Sequence, residues 1–159
     1  MKIVLAPDSF KGSLSAEAVC AALESGLRRV LPDAQIVKRP MADGGEGTLD
    51  AVVTALAATG GARRKQALVK NAAGQSAEAA YALIKHGIYE AAVIEVAQIV
   101  GIEDAHNMAV PVGERTSYGV GELIRLLLAE GIRHFFVGLG GTSSNDGGAG
   151  LLAALGVKF

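Results

Sequence analysis

The sequence predicts an α/β fold built on a parallel sheet with helical crossovers. Twice near its start, a short strand-like apolar run passes through a glycine-bearing turn into an amphipathic helix. That alternation is how parallel strands are connected. The same rhythm returns near the end, where Phe135-Phe136-Val137 runs into "GLGGTSSNDGG". At 159 residues, half of them hydrophobic, the chain can bury a sizeable core.

Lys2 to Ala6 has the residue types of a buried strand and leads into the turn "PDSFKGS". Ser15 can cap a helix whose apolar face is Val19, Ala22, Leu23, Gly26, Leu27 and Val30, and "LPD" ends it. A second strand near Gln35 to Lys38 enters "PMADGGEGT". The helix behind that turn carries Leu49, Val52, Val53 and Leu56 and stops at Gly60-Gly61.

From Ala62 to Gly113 the texture changes. "KQALVKNAAGQSAEAAYALIKHG" reads as two strands around an Ala-Gly turn, and "EAAVIEV" reads as a third. No long helix separates them, so antiparallel or mixed pairing is expected. The expected organisation is one incomplete α/β domain, residues 1–61 and 114–159, with residues 62–113 part of an inserted second domain. Ser117 to Glu130 is helical, with Leu123, Ile124, Leu127 and Leu128 on one face and Gly131 as its stop. After the strand at Phe135, a last helix is expected from about Asp146. Gly156 looks like a helix C-cap, and Val157-Lys158-Phe159 looks like the opening of a further strand. The chain is therefore expected to be a piece of something longer.

Composition narrows the function. Fifteen basic and sixteen acidic residues give a net charge of −1, and the basic ones are scattered. With no tryptophan and few other aromatics, no nucleic-acid partner is expected. Acids and bases interrupt every apolar run before it reaches membrane-spanning length, so no membrane association is expected either. "MKIVLAPDSF" lacks the pattern of a cleavable leader, which leads to a cytoplasmic expectation. Cys20 falls on the apolar side of a helix and reads as a core residue. His86, His106 and His134 lack metal-ligand spacing.

Three turns, "PDSFKGS", "ADGGEGT" and "GLGGTSSNDGG", each follow a strand and precede a helix. In a parallel sheet such turns share one edge, where open α/β sheets bind ligands. Glycines let backbone N–H groups converge on an anion, and the helix starts behind them add partial positive charge. Gly44, Gly45, Gly140, Gly141, Thr142, Ser143 and Asn145 are the phosphate-binding candidates; the plainer reading is exposed turns that need left-handed glycines. Lys11 is the candidate cation for a transferring phosphoryl group, with Asp8 and Ser9 toward the substrate. Asp43 is a candidate general base or metal ligand, and Glu46 a candidate metal ligand; both also suit the start of a helix. Asp146 fits either a Mg²⁺ ligand or a helix N-cap. Glu95, a carboxylate in the run "AVIEVA", fits a strand end facing the cleft, as a substrate contact, or an exposed edge. There is no G-x-x-x-x-G-K-[ST] loop.

Together, "APDSFKGSLSA", "PMADGGEGT", "TSYGVGELI" and "GLGGTSSNDGGAGLLAALG" resemble the type I glycerate kinase family, in order along the whole chain. Members of that family are much longer, so the likeness covers their N-terminal portion. Two places depart from the family pattern: Thr142-Ser143-Ser144 stands where Ser-Ala-Thr is common, and "KNAAGQ" lacks a usual Gly-Pro. The resemblance implies a flavodoxin-like α/β domain, helices on both sheet faces, with a second α/β domain inserted. It also implies a kinase using ATP and Mg²⁺ to phosphorylate D-glycerate, giving 2-phosphoglycerate, with 3-phosphoglycerate the other product assigned in such families. Two alternatives stand beside it: a catalytically silent module that binds a nucleotide or anion, and a structural or signalling module that binds neither.

Overall fold

The computed structural model describes residues 1–57 and 60–159. Strands β1 (Lys2–Leu5) and β2 (Gln35–Lys38) form a parallel pair, with Ile3 opposite Ile36. Helix α1 (Ala16–Val30) crosses between them. As its sequence predicts, the Ser15 hydroxyl accepts from the Ala18 N–H at 3.2 Å. Val19 and Cys20 on its inner face are buried, with the Cys20 Sγ 3.8 Å from the Leu5 carbonyl oxygen.

A separate four-stranded sheet has the order β3 (Ala62–Lys70), β4 (Ser76–His86), β5 (Tyr89–Glu95), β6 (His134–Gly138). The first three strands are antiparallel and β6 runs parallel to β5, with Glu95 opposite Gly138. The two strands in "KQALVKNAAGQSAEAAYALIKHG" and the turn between them form as the residue types predict. Asn71 builds that turn by accepting the Ala73 and Gln75 N–H groups.

Each face of this sheet has its helix. Ala80, Ala82, Ala91 and Val93 pack on α2 (Thr48–Leu56), whose Leu49 is buried and whose Val52, Val53 and Leu56 are partly so. Tyr81, Leu83, Ala92 and Ile94 pack on the other side against Val120, Leu123 and Leu127 of α5 (Tyr118–Ala129). Two single-turn helices, α3 (Ala97–Val100) and α4 (Ala105–Met108), and a 3-10 turn at Val112–Glu114 join β5 to α5. Residues 58 and 59, the last expected stretch of α2, lie outside the described residues.

The predicted α/β class is present, as a parallel sheet and a mixed sheet flanked by helices. Three details differ from expectation. β6 was expected to belong with β1 and β2, but it pairs with β5, so the ladder crosses the boundary expected at residue 113. Val4 and Phe136, read as buried-strand residues, are 56% and 46% exposed, because β1 lies in a two-stranded sheet and β6 at a sheet edge. The last helix, α6 (Ala149–Ala154), starts after Asp146, since Gly147 and Gly148 are both left-handed.

The motif "TSYGVGELI" has a packing reason. A side chain at Gly119 would run into the Lys70 carbonyl, and one at Gly121 would meet the Ala154 methyl at 2.7 Å. The two glycines let α5 lie directly on the end of β3 and against α6.

Candidate functional site

The turns after β1 and β2 line one cleft of about 320 Å³. Ser9 and Lys11 come from the first turn and Glu46 and Gly47 from the second, and Glu103 closes the wall. Lys11 is exposed and makes no salt bridge among the described residues. Asp8 and Asp43 are also exposed but lie outside the cleft lining. Each folds back on its own turn: the Asp8 carboxylate accepts from the Ser9 N–H at 2.6 Å, and Asp43 accepts from the Gly45 N–H at 3.0 Å.

The third loop joins through backbone contact. Gly140 N–H donates to the Gly44 carbonyl at 2.8 Å. A Cβ at Gly140 would lie 2.6 Å from the Gly45 nitrogen, and one at Gly138 would lie 2.7 Å from the Gly44 oxygen. Gly141 sits at φ 66 with the Glu46 carboxylate where its side chain would be. Much of the glycine content in both loops thus allows one loop to interlock with the other. Neither an anion cradle nor an isolated exposed turn predicts that contact.

Interlocking uses some of the expected phosphate donors. The Gly45 N–H is spent on Asp43 and the Gly140 N–H on Gly44. The N–H groups of Gly44, Gly141 and Thr142 have no acceptor among the described residues. Thr142 forms a bridge with Gly101, and Asn145 is exposed. Ser143 is buried, and both its N–H and its hydroxyl donate to the Val100 carbonyl, at 2.7 and 2.8 Å. Its geometry is that of a fastener between the loop and α3.

Asp146 has a similar duty. Its carboxylate accepts from the Ser117 N–H and hydroxyl at 2.7 and 2.9 Å, and from the N–H groups of Gly148 and Gly150 at 3.0 and 3.1 Å. Burial pushes its carboxyl up, but the hydrogen bonds from Ser117, Gly148 and Gly150 outweigh burial and hold it below the usual aspartate range. Gly148, not Asp146, holds the cap position of α6, and these bonds tie Asp146 to the starts of α5 and α6 together. Glu95 is fully buried and faces α2 rather than the cleft or an exposed edge.

No group of three or more metal-type side chains exists among the described residues. A Mg²⁺ ion carried by phosphates needs fewer, often one or two carboxylates. Glu46 fits that need: its Oε1 is shielded from solvent without a hydrogen-bond partner, on a cleft-lining residue. Residues missed in the sequence include Glu17, Asp50 and Glu103 in the cleft wall. Another is Arg115, which donates to the carbonyls of Val110 and Ser143 at 2.7 and 3.3 Å. Glu17 and Asp50 follow their loops directly, in the first turns of α1 and α2, whereas only folding brings Glu103 and Arg115 beside the loops.

Known proteins share this arrangement of segments. The profile of the glycerate kinase family matches residues 3–159. The Glycerate 2-kinase of Escherichia coli K12 is 45% identical over 164 aligned residues, covering 100% of this chain and 40% of that protein. The Glycerate kinase of Haemophilus influenzae Rd is 44% identical, covering 99% and 40%. A crystal structure of the Salmonella typhimurium LT2 protein assigned as a glycerate kinase 2 superimposes with a TM-score of 0.73 at 45% identity, covering 98% of this chain and 40% of that one. The chain spans about 40% of the length of these relatives.

Proposed function

Because the chain belongs to the glycerate kinase family, we propose that the full-length protein phosphorylates D-glycerate with ATP, giving 2-phosphoglycerate. The observation that carries this reading is the cleft where Lys11 and Glu46 share a wall beside the interlocked glycine loops. A kinase without a P-loop needs such a meeting of cation, carboxylate and free N–H groups.

In the proposed reaction a glycerate hydroxyl attacks the terminal phosphorus of ATP. The new O–P bond forms as the bond to the bridging oxygen of ADP breaks. Asp43 takes the hydroxyl proton, or holds the metal in its place. Lys11 neutralises charge gathering on the phosphoryl oxygens. The Gly44, Gly141 and Thr142 N–H groups, with the Asn145 side chain, orient the phosphates. Asp8 and Ser9 face the glycerate. Glu46 would hold Mg²⁺, which when bound would supply positive charge to offset that of the phosphates. Gly45, Gly140, Ser143 and Asp146 keep the loops in place.

The reading puts the protein in the cytoplasm, with ATP and D-glycerate as partners and neither nucleic acid nor membrane among them. No helix of the described residues is long and apolar enough to cross a membrane. A second reading concerns the 159-residue chain by itself: with 40% of its relatives' length, it binds nucleotide or anion without turnover. Phosphorus NMR of a mixture of the full-length protein, MgATP and D-glycerate tests the main reading. It predicts a glycerate phosphate ester on the 2-hydroxyl. An ester on the 3-hydroxyl overturns the position, and no ester overturns the reaction.

A further inference from the structure

Glu95 is a fully buried carboxylate for which the proposed chemistry has no use. It ends β5 opposite Gly138, and Ala91 and Val93 of the same strand pack on α2. Helix α2 begins without a cap of its own: Gly47 occupies the cap position at φ 87 and offers no side chain. The first N–H groups of any helix need an acceptor from elsewhere. Glu95 is that acceptor. Its Oε2 takes the Leu49 N–H at 2.8 Å and its Oε1 the Gly47 N–H at 3.3 Å, with Gln98 donating to Oε1 at 3.1 Å. All three partners are donors, which suits a carboxylate and leaves nothing turned toward a substrate.

The start of α2 is thereby referenced to a strand 46 residues away in sequence. The loop just before it carries Asp43 and Glu46, and the strand beside β5 delivers Gly138 to Gly141 at the same level. We propose that Glu95 is a positioning residue: it sets where Asp43 and Glu46 stand relative to Lys11 and the Gly138–Gly141 loop, without touching substrate. This rests on the kinase reading above.

The test compares Glu95→Gln, Glu95→Asp and Glu95→Ala in the full-length protein, by steady-state kinetics and amide hydrogen exchange. In Glu95→Gln the amide nitrogen becomes a donor among donors. The expected result is a kcat lower by about 10- to 100-fold, with the KM for D-glycerate little changed and faster exchange confined to residues 44–50. Glu95→Asp, which keeps two acceptor oxygens, should recover part of the rate lost in Glu95→Ala. Unchanged kcat overturns the proposal. So does faster exchange spread over both sheets, which marks a merely structural role. If Glu95→Ala does not fold, the other two variants carry the test. If the unsubstituted protein phosphorylates no glycerate, the kinase reading fails by itself and the exchange arm still decides: a local change supports the positioning role, and unchanged exchange overturns it.

Discussion

Lys11 is an exposed cation in the cleft wall, held by no acid among the described residues. Its loss should therefore cost charge stabilisation and little stability. Lys11→Ala is expected to lower kcat by about 100-fold or more while the melting temperature stays put; steady-state kinetics and a thermal melt check both halves. Asp146 is the opposite case, an acid whose work is internal. Its carboxyl sits below the usual range when folded, so it contributes stability above the unfolded value that disappears as pH falls through the lower folded one. Asp146→Asn should be less stable than the parent at neutral pH, and the gap should close in acid. Urea titrations across that range measure it, and a constant gap contradicts the clamp. At this scale loop composition nominates Lys11 and Glu46, and both line the cleft. The duties of Ser143, Asp146 and Glu95 were not legible in sequence, since each has a partner in a distant segment that only the fold brings close.

Between elements, close approach is what the glycines provide. The Gly119 position on α5 has the Lys70 carbonyl where a Cβ would go and the Ile99 side chain at 3.0 Å. Gly119→Ala should destabilise the protein by about 3 kcal/mol, read as a shift of the urea midpoint. No shift would mean that α5 lies farther from β3 than described. Gly140→Ala should push apart the loops after β2 and β6, raising the KM for ATP about tenfold; an unchanged KM would separate the interlock from nucleotide binding. Helix periodicity made α1, α2 and α5 legible, and the bounds of α1 and α5 fall within a residue or so of expectation. The place of β6 was not legible. Strand neighbours are chosen by long-range pairing, and nothing in Phe135-Phe136-Val137 distinguishes an edge beside β5 from a strand beside β1.

For the whole molecule, the proposal is that turns from two different sheets meet at one anion-holding site. The turns after β1 and β2 place Lys11 and Glu46 in the cleft wall, while the loop carrying Gly140, Gly141 and Thr142 reaches the second turn through β6 of the mixed sheet. A shared edge of one parallel sheet, expected because each turn follows a strand and precedes a helix, is not what forms: β6 belongs to the other sheet. The turns meet instead across a seam between sheets, made of backbone contacts between glycines that no local pattern marks. The most direct test is an amide-exchange footprint of MgATP on the full-length protein. The account predicts simultaneous protection at residues 9–15, 44–47 and 140–142. Protection confined to one of these turns, or lying wholly elsewhere on the chain, would contradict it.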